Sequence, residues 1–588
     1  MVNERVKKLR DIMLKNNLDA YIVYSFDPHS SEYVSERWKG RAWISGFTGS
    51  AGTIVVLKDK AGLWTDGRYF IQAEKQLKNS GIDLYKMAIP GFPTYEEWIY
   101  DNLDKDAKIG VDGEVLNVKT NKELCETFSK KNIEIKYMDL LNDIWQDRPS
   151  IPMNEVYKHE IKYAGKSRQK KIEILREYIS KKESDYYIIS TLDDIAWTLN
   201  LRGSDISYSP VAISYLLISK SKTVLYIHNN KLNNELVSSL KKDKILIKNY
   251  DTIFEDLGEI SKTDSILINE ESINVKIKNS INAKTKNTKN YIAFLKSVKD
   301  DIELENQKKC LIRDGASLVR FLHWVDTNVK SETLTEINVN EKLYSIRKDD
   351  SKFVDESFAS IIGYKEHGAL MHYSANEETC YKLKPEGMLL VDSGGLYLDG
   401  TSDITRTFSL GEVSDKERTD FTLVLKGVIN LTKAVFLEGT IGANLDILAR
   451  KPMWDNGIDY KCGTGHGIGY FLNVHEGPQR ISRDLINVKL EEGMVLSNEP
   501  GIYREGQYGI RIENTIVVVP YKESEFGKFY KFETISYAPI DIRLIKSELL
   551  TEGEREWINS YHNDVYKKLS PLLNKKENKW LKNMTKEI

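Results

Sequence analysis

Four of the nine histidines in this 588-residue sequence, His367, His372, His466 and His475, fall between Glu366 and Glu476. A lone histidine in that stretch would more often be a satisfied structural residue than a ligand, so its weight depends on the carboxylates that accompany it. Residues 389–408 read as two strands joined through a glycine-rich turn, with Asp392 and Asp403 on opposite arms. Aspartate is depleted from strand interiors, so two on neighbouring arms need a reason. Asp399, beside Gly400, reads instead as turn chemistry. A second hairpin runs over 494–503 and returns over 508–519, and Glu499 and Glu513 are equidistant from its centre at Gly506. Pairing about that glycine sets the two carboxylates opposite one another, with Cβ atoms about 5 Å apart. Opposed like charges destabilise a sheet unless one is protonated or a cation lies between them.

Between the hairpins lies Cys462-Gly-Thr-Gly-His-Gly-Ile-Gly-Tyr470. It lacks the Gly-Lys-Ser/Thr of a phosphate loop. Its glycines instead let backbone approach an occupied centre, with His466 as the nitrogen ligand. Four carboxylates and one imidazole form a mainly oxygen site, which suits divalent manganese better than a thiolate-rich zinc cage. Their charge of −4 exceeds what one divalent ion neutralises, which favours two ions about 3.5–4 Å apart.

The elements ahead of this chemistry repeat. An amphipathic run with Val6, Leu9, Ile12 and Met13 precedes the strand-like 19–25, and Leu175, Tyr178 and Ile179 precede 185–191. Each copy then carries an Ala-Trp that reaches a Gly-Ser over the same interval, Ala42-Trp43 to Gly49-Ser50 and Ala196-Trp197 to Gly203-Ser204. Paired strands follow, 53–57 with 62–65 and 211–218 with 223–227. Two related α/β domains in tandem are expected. They join at Arg148-Pro-Ser-Ile-Pro152, where proline favours an extended connection. The second copy closes in the polar stretch 279–290, and Asp300 to Val329 reads as a long helix despite Gly315. The expected domains are 1–148, 149–295 and 296–588.

Composition bounds the partners. With 85 Lys+Arg against 87 Asp+Glu the formal charge is −2, which points to no nucleic acid or other polyanion. A 41% apolar share with 29% charged residues is that of an ordinary globular chain. Four scattered cysteines fit a reducing compartment. No stretch approaches the roughly 20 apolar residues of a membrane span, and the charged N-terminus is unlike a signal peptide. A soluble, cytoplasmic protein with no membrane partner is expected.

The ordered set Asp392, Asp403, His466, Glu499 and Glu513 sits in Asp-Ser-Gly, Thr-Ser-Asp-Ile-Thr-Arg, Gly-Thr-Gly-His-Gly, Asn-Glu-Pro-Gly and Arg-Ile-Glu-Asn. It resembles the dinuclear site of pita-bread metallopeptidases, and among them the long, three-domain Xaa-Pro aminopeptidases. The resemblance covers nearly the whole chain. Ser45-Gly-Phe-Thr-Gly-Ser-Ala-Gly52 and Trp64-Thr-Asp-Gly-Arg-Tyr-Phe70 are similar to the first domain of that family, Asn200-Leu-Arg-Gly-Ser-Asp205 to its second, and Asn473-Val-His-Glu-Gly-Pro478 to a signature of the long form.

The resemblance implies an α/β (α+β) chain with two tandem creatinase-N-like domains ahead of a pita-bread catalytic domain. It implies hydrolysis of the N-terminal residue from peptides with proline in second position, through a hydroxide held by two divalent metal ions. Asp392 would hold one metal, His466 and Glu499 the other, and Asp403 and Glu513 would bridge them. Glu499 would be the general base, and His372 and His475 would bind substrate and stabilise the tetrahedral intermediate. Tyr503 and Arg511 would line the site, Arg511 orienting a carboxylate. A homodimer is implied by the same family likeness. Cys462 departs from the pattern, since relatives often carry histidine there. A tolerated replacement is the expected reading, against a redox-sensitive thiol. The alternatives are an Xaa-Pro dipeptidase of prolidase type, creatinase-like hydrolysis without metal, and a non-enzymatic binding module on the same fold. The last two would be expected to lose ligands that this chain keeps.

Overall fold

The computed structural model describes residues 2–588. Its first sheet comprises β1 (Ala20–Val23), β2 (Thr53–Leu57), β3 (Ala61–Thr65), β4 (Asp83–Lys86), β5 (Lys108–Val111) and β6 (Glu134–Tyr137), in the order β4-β3-β2-β1-β5-β6. The second comprises β7 (Tyr186–Ile189), β8 (Tyr215–Ser219), β9 (Thr223–Tyr226), β10 (Ile245–Lys248), β11 (Ser265–Ile268) and β12 (Lys284–Asn287), in the order β10-β9-β8-β7-β11-β12. The orders are the same permutation. The senses match too: the two inner hairpin pairings are antiparallel and the remaining three pairings parallel in each sheet. The expected repeat is therefore a repeat of topology, with Ala42-Trp43 on the helix α1 (Gly40–Ser45) and Ala196-Trp197 on α2 (Leu192–Leu199).

Two expectations shift. Residues 211–214 are buried loop, and β8 begins only at Tyr215. The polar stretch 279–290 is not all connection, because it contains β12, an edge strand. Its Lys284 and Asn287 are exposed, so burial leaves no apolar alternation to read.

Both sheets lie in one compact unit, which extends through His159 and resumes over Lys166–Tyr291. Their junction is reciprocal. Asn117 and Asn274 occupy the same place in the two copies and form an antiparallel bridge. Each caps a helix, accepting from Thr120 N and Ile277 N at 2.8 Å. Val118 N donates to Ile273 O at 2.9 Å, and Val275 N returns to Leu116 O at 2.9 Å. Lys119 pairs with Glu271 at 2.9 Å, and Lys276 with Glu114 at 2.5 Å.

The second unit holds Glu160–Gly165 and Ile292–Ile588. It opens on the long helix α3 (Asp301–Asn328), capped by Asp300 with Glu303 closing the capping box. A three-stranded sheet orders β13 (Ile361–Tyr364), β14 (Met388–Ser393) and β15 (Ile404–Ser409). After α4 (Asp415–Thr432), β16 (Val435–Leu437) and α5 (Gly442–Trp454) come β17 (Val495–Asn498), β18 (Gly501–Arg504), β19 (Tyr508–Arg511), β20 (Asn514–Ser524) and β21 (Gly527–Thr534), then α6 (Glu552–Leu569). Val319 of α3, Phe421 and Val428 of α4 and Val565 of α6 share a buried cluster with Ile502 and Ile510 of the β18–β19 hairpin. Among the described residues no helix is long and apolar enough to cross a membrane.

Residues 389–408 depart from the expected pair of strands. Asp392 of β14 pairs with Thr405 of β15 as a hairpin arm should, but Asp403 precedes β15. The intervening residues fold as a small hairpin of their own, 395–397 with 400–401, in a different sheet. Gly394 permits the exit, because a Cβ there would stand 2.0 Å from Ser402 O. Asp399 does sit in the turn, and it also accepts from Arg313 Nη2 at 2.6 Å and Lys352 Nζ at 2.5 Å.

Gly315 has a comparable cause. A Cβ on it would lie 2.2 Å from Tyr537 O, so α3 packs on backbone where any side chain would intrude. Alanine is a better helix former than glycine by about 1 kcal/mol. The clash outweighs that gain, and Gly315→Ala is expected to lower the melting temperature. A raised midpoint in thermal unfolding would contradict this packing.

Candidate metal centre

The second hairpin keeps the expected register on both sides of a break. Gly501 pairs with Arg511 and Arg504 with Tyr508, while Val495 pairs with Val517 and Asn498 with Asn514. Glu499 and Glu513 fall in the gap between the two ladders, in the same register about Gly506. A break there releases both from the pleat without shifting either arm.

The carboxylates converge on His466. Its Nε2 lies 3.2 Å from Asp403 Oδ2 and 3.4 Å from Glu499 Oε1. Candidate ligand atoms of Asp403, His466 and Glu513 all lie within 4.8 Å of one another. Neighbouring donors fix one side of three of the acids. Thr405 Oγ1 donates to Glu513 Oε2 at 2.9 Å, Ser497 Oγ to Glu499 Oε1 at 3.0 Å, and Arg511 Nη2 to Asp392 Oδ2. His466 Nδ1 hydrogen-bonds Gly467 O at 2.9 Å, an arrangement that makes Nδ1 the donor and turns Nε2 toward the acids. Each hydroxyl donor stands two residues along the chain from an acid, Thr405 on β15 from Asp403 and Ser497 on β17 from Glu499.

The remaining oxygens are what a cation would need. Asp392 Oδ1 and Glu513 Oε1 are buried and accept no hydrogen bond. Unpartnered buried carboxylate oxygens are costly unless a proton or a metal takes them. The titration directions agree. Burial, then neighbouring Asp403, Glu499 and Asp392, pushes Glu513 well above the ordinary carboxylate range. Burial raises Asp392 and Glu499, with Arg511 pulling the first down and His466 the second. Burial works against a charged His466, but Asp403 and Glu499 outweigh it and push it up to about 9. A cluster that pushes Asp392, Glu499, Glu513 and His466 all toward binding protons is short of positive charge, so this donor set fits divalent metal ions.

The other expected residues divide. Tyr503 OH accepts from Arg511 Nη1 at 2.7 Å, so the guanidinium spans Tyr503 and Asp392, and Asp392 is the carboxylate that it orients. The His475 ring centroid lies 4.4 Å from that of His466, at 80°. His372 is placed by a separate device. It is exposed on a loop next to buried Tyr373, whose hydroxyl donates to Glu336 at 2.8 Å. Glu336 also accepts from Tyr364 N at 2.9 Å and Tyr381 N at 2.8 Å and pairs with His367 Nδ1 at 2.9 Å, gathering the loop onto one buried carboxylate. Thr405, Ser497 and Glu336 were not singled out from the sequence. The first two carry a signal in hindsight, their two-residue spacing from Asp403 and Glu499. Glu336 carries none.

Cys462 is pushed up to about 11 by burial, with Glu499 adding to the rise. A thiol held protonated is a poor target for oxidation. Beneath the site, Arg406 Nη1 donates to Glu513 O at 2.5 Å, and Nη2 donates to Asn514 Oδ1 at 2.8 Å and Tyr561 OH at 2.7 Å.

Comparison with known proteins places this architecture. Residues 5–148 and 147–303 each match the creatinase/prolidase N-terminal domain, residues 305–520 match metallopeptidase family M24, and residues 528–588 match the C-terminal region of that peptidase. Fold and site thus define a metallopeptidase of the pita-bread class. Aminopeptidase P2 of Arabidopsis thaliana is 40% identical over 100% of this chain and 89% of its own length. The probable Xaa-Pro aminopeptidase P of Aspergillus flavus is 40% identical over 100% of this chain and 93% of its own. The crystal structure of X-prolyl aminopeptidase from Caenorhabditis elegans, described as a cytosolic enzyme with a di-nuclear active site, superposes with a TM-score of 0.95 at 32% identity over 100% of both chains. The chain belongs to the Xaa-Pro aminopeptidase family.

Two measurements test the chemistry around the site. His562, buried on α6, accepts Ile540 N–H at 3.1 Å, and burial with Arg406 nearby holds its pKa down at about 4. An unfolded histidine titrates near 6.5, so between those values the unfolded chain binds the extra proton. Stability is therefore unaffected by this group above about pH 6.5 and falls by up to about 3 kcal/mol as pH drops toward 4. Urea unfolding across that window should show the slope, and His562→Gln should remove its share; an unaltered slope in the variant would contradict the assignment. Cys462→Ser is expected to match the wild type under reducing and oxidising conditions alike, and selective oxidative loss in the wild type would instead mark a redox thiol.

Proposed function

We propose that the chain hydrolyses the bond between an N-terminal residue and a following proline, using two divalent ions held by Asp392, Asp403, His466, Glu499 and Glu513. The observation that carries the reading is the convergence of Asp403 and Glu499 on His466 Nε2, with unpartnered buried oxygens on Asp392 and Glu513. The full-length likeness to Xaa-Pro aminopeptidases supplies the reaction. When bound, the ions would lower the pKa of water and polarise the scissile carbonyl.

This chain's residues do the rest. Glu499 moves a proton from the attacking water toward the departing proline nitrogen. His475, beside His466, and His372 donate to oxygen where negative charge develops. Tyr503 and Arg511 shape the wall, Arg511 holding Asp392 in place. A bond to proline has no N–H, so a site that grips that donor loses its handle, whereas one that acts on the carbonyl does not. Manganese is the proposed ion because oxygen donors dominate the set. The proposed assembly is a cytosolic homodimer of three-domain chains divided at 1–148, 149–295 and 296–588, in keeping with the family likeness; the Caenorhabditis elegans enzyme is described as cytosolic.

The experiment is turnover of Arg-Pro-Pro after the metal is stripped and Mn, Zn or Co restored, with metal stoichiometry measured alongside. Release of arginine that returns with two ions per chain is expected, and Asp403→Ala should lower kcat by roughly 100-fold or more. Cleavage confined to Xaa-Pro dipeptides would make the chain a dipeptidase. No release from any Xaa-Pro peptide by the loaded protein would overturn the enzyme reading.

A further inference from the structure

A second buried charge cluster lies beside the metal centre. The chain bends at Val474 and His475, and burial alternates along it: Val474 and Glu476 are buried and His475 between them is exposed. The Glu476 side chain, 1% exposed, meets two lysines from the segment just ahead of α3. Lys299 Nζ hydrogen-bonds its Oε1, and Lys296 Nζ lies 3.5 Å from its Oε2. Both lysine side chains are at most 4% exposed. Lys299 Nζ also donates to Lys296 O at 2.7 Å, which holds the two lysines together. A buried ion pair is weak evidence for stability, because desolvation offsets most of its attraction. What it fixes in space is the more informative question.

It joins two pieces of the site. On one side Glu476 N donates to Gly467 O at 2.8 Å, the same carbonyl that pairs with His466 Nδ1. The Glu476 backbone thus sets the carbonyl that decides which imidazole nitrogen faces Asp403 and Glu499. On the other side Lys299 N donates to Gly493 O at 3.1 Å and Val298 forms a bridge with Met494, at the entry to β17, whose far end delivers Glu499. We propose that Glu476, clamped by Lys299 and Lys296, is a positioning residue for the hydrolysis, setting the loop that carries His466 and His475 against the strand that carries Glu499. The inference rests on the function proposed above. Its substance is geometric: anchoring Glu476 inward holds the loop beside His475 and fixes the carbonyl that pairs with His466 Nδ1.

The test is Glu476→Gln in the full-length protein, which keeps the shape and removes the charge. Relative to wild type, kcat on Arg-Pro-Pro is expected to fall about 10–100-fold, with KM changed less than about threefold, and Mn affinity of the stripped protein, by calorimetry, to weaken by about 10-fold or more. Lys299→Arg, which keeps an ion pair with the native Glu476, should retain most of both. A merely structural role would lower the melting temperature and leave kcat and metal affinity of the folded protein unchanged; that result, within about twofold of wild type, would overturn the proposal. If Glu476→Gln does not fold, the triple variant Lys296→Met, Lys299→Met, Glu476→Leu removes all three buried charges and is judged by the same two readouts. Should wild type itself release nothing from Arg-Pro-Pro, the functional reading fails, and the clamp is then decided by metal affinity alone.

Discussion

Like charges do not share a dry space unless something positive joins them, and the second half of this chain is arranged around that constraint. Asp392, Asp403, Glu499 and Glu513 reach one buried neighbourhood from two separate hairpins. Three of them are steadied from outside by a donor that uses only part of the acid's capacity, Arg511 on Asp392, Thr405 on Glu513 and Ser497 on Glu499. The acids are thereby prevented from turning away from each other, which is what free side chains of equal charge would do. The energetic deficit is built into the fold and is relieved by cations. Helices α3, α4 and α6, packed against the hairpin β18–β19, make the backbone stiff enough to sustain it.

The loops at the rim meet a different problem. An exposed histidine that acts on substrate depends on the loop that carries it. Both proposed examples are followed in the chain by a buried residue, Tyr373 after His372 and Glu476 after His475, and each of these is tied to buried charge. The buried neighbour holds the loop at the point from which the exposed side chain leaves it.

How much of this the sequence discloses depends on the range of the interactions involved. The register about Gly506 was legible because a hairpin is local, and its symmetry is written in the spacing of Glu499 and Glu513. The tandem sheets were legible because each copy repeats the same short-range signals. The hairpin inserted after Gly394 was not, because what demands glycine there is Ser402 O, a contact that exists only once the chain has turned. Strand β12 was hidden by its solvated edge, and Glu336, Lys296 and Lys299 by their ordinariness; Glu476 stood in a recognised motif, but nothing in a glutamate or a lysine announces that it will be buried. The histidine and carboxylate set argued for a cation on its own terms, but the reaction and the roles of His372 and His475 came from family likeness.

The junction between the two front sheets has the form of an isologous contact, in which one residue touches a second and the counterpart of the second touches the counterpart of the first. Such a surface is ordinarily how two identical molecules recognise each other. Here the partners are successive stretches of one polypeptide, so their meeting is unimolecular and independent of protein concentration. Dilution cannot part them. A self-complementary face that would invite other molecules is permanently occupied by the chain's own second copy.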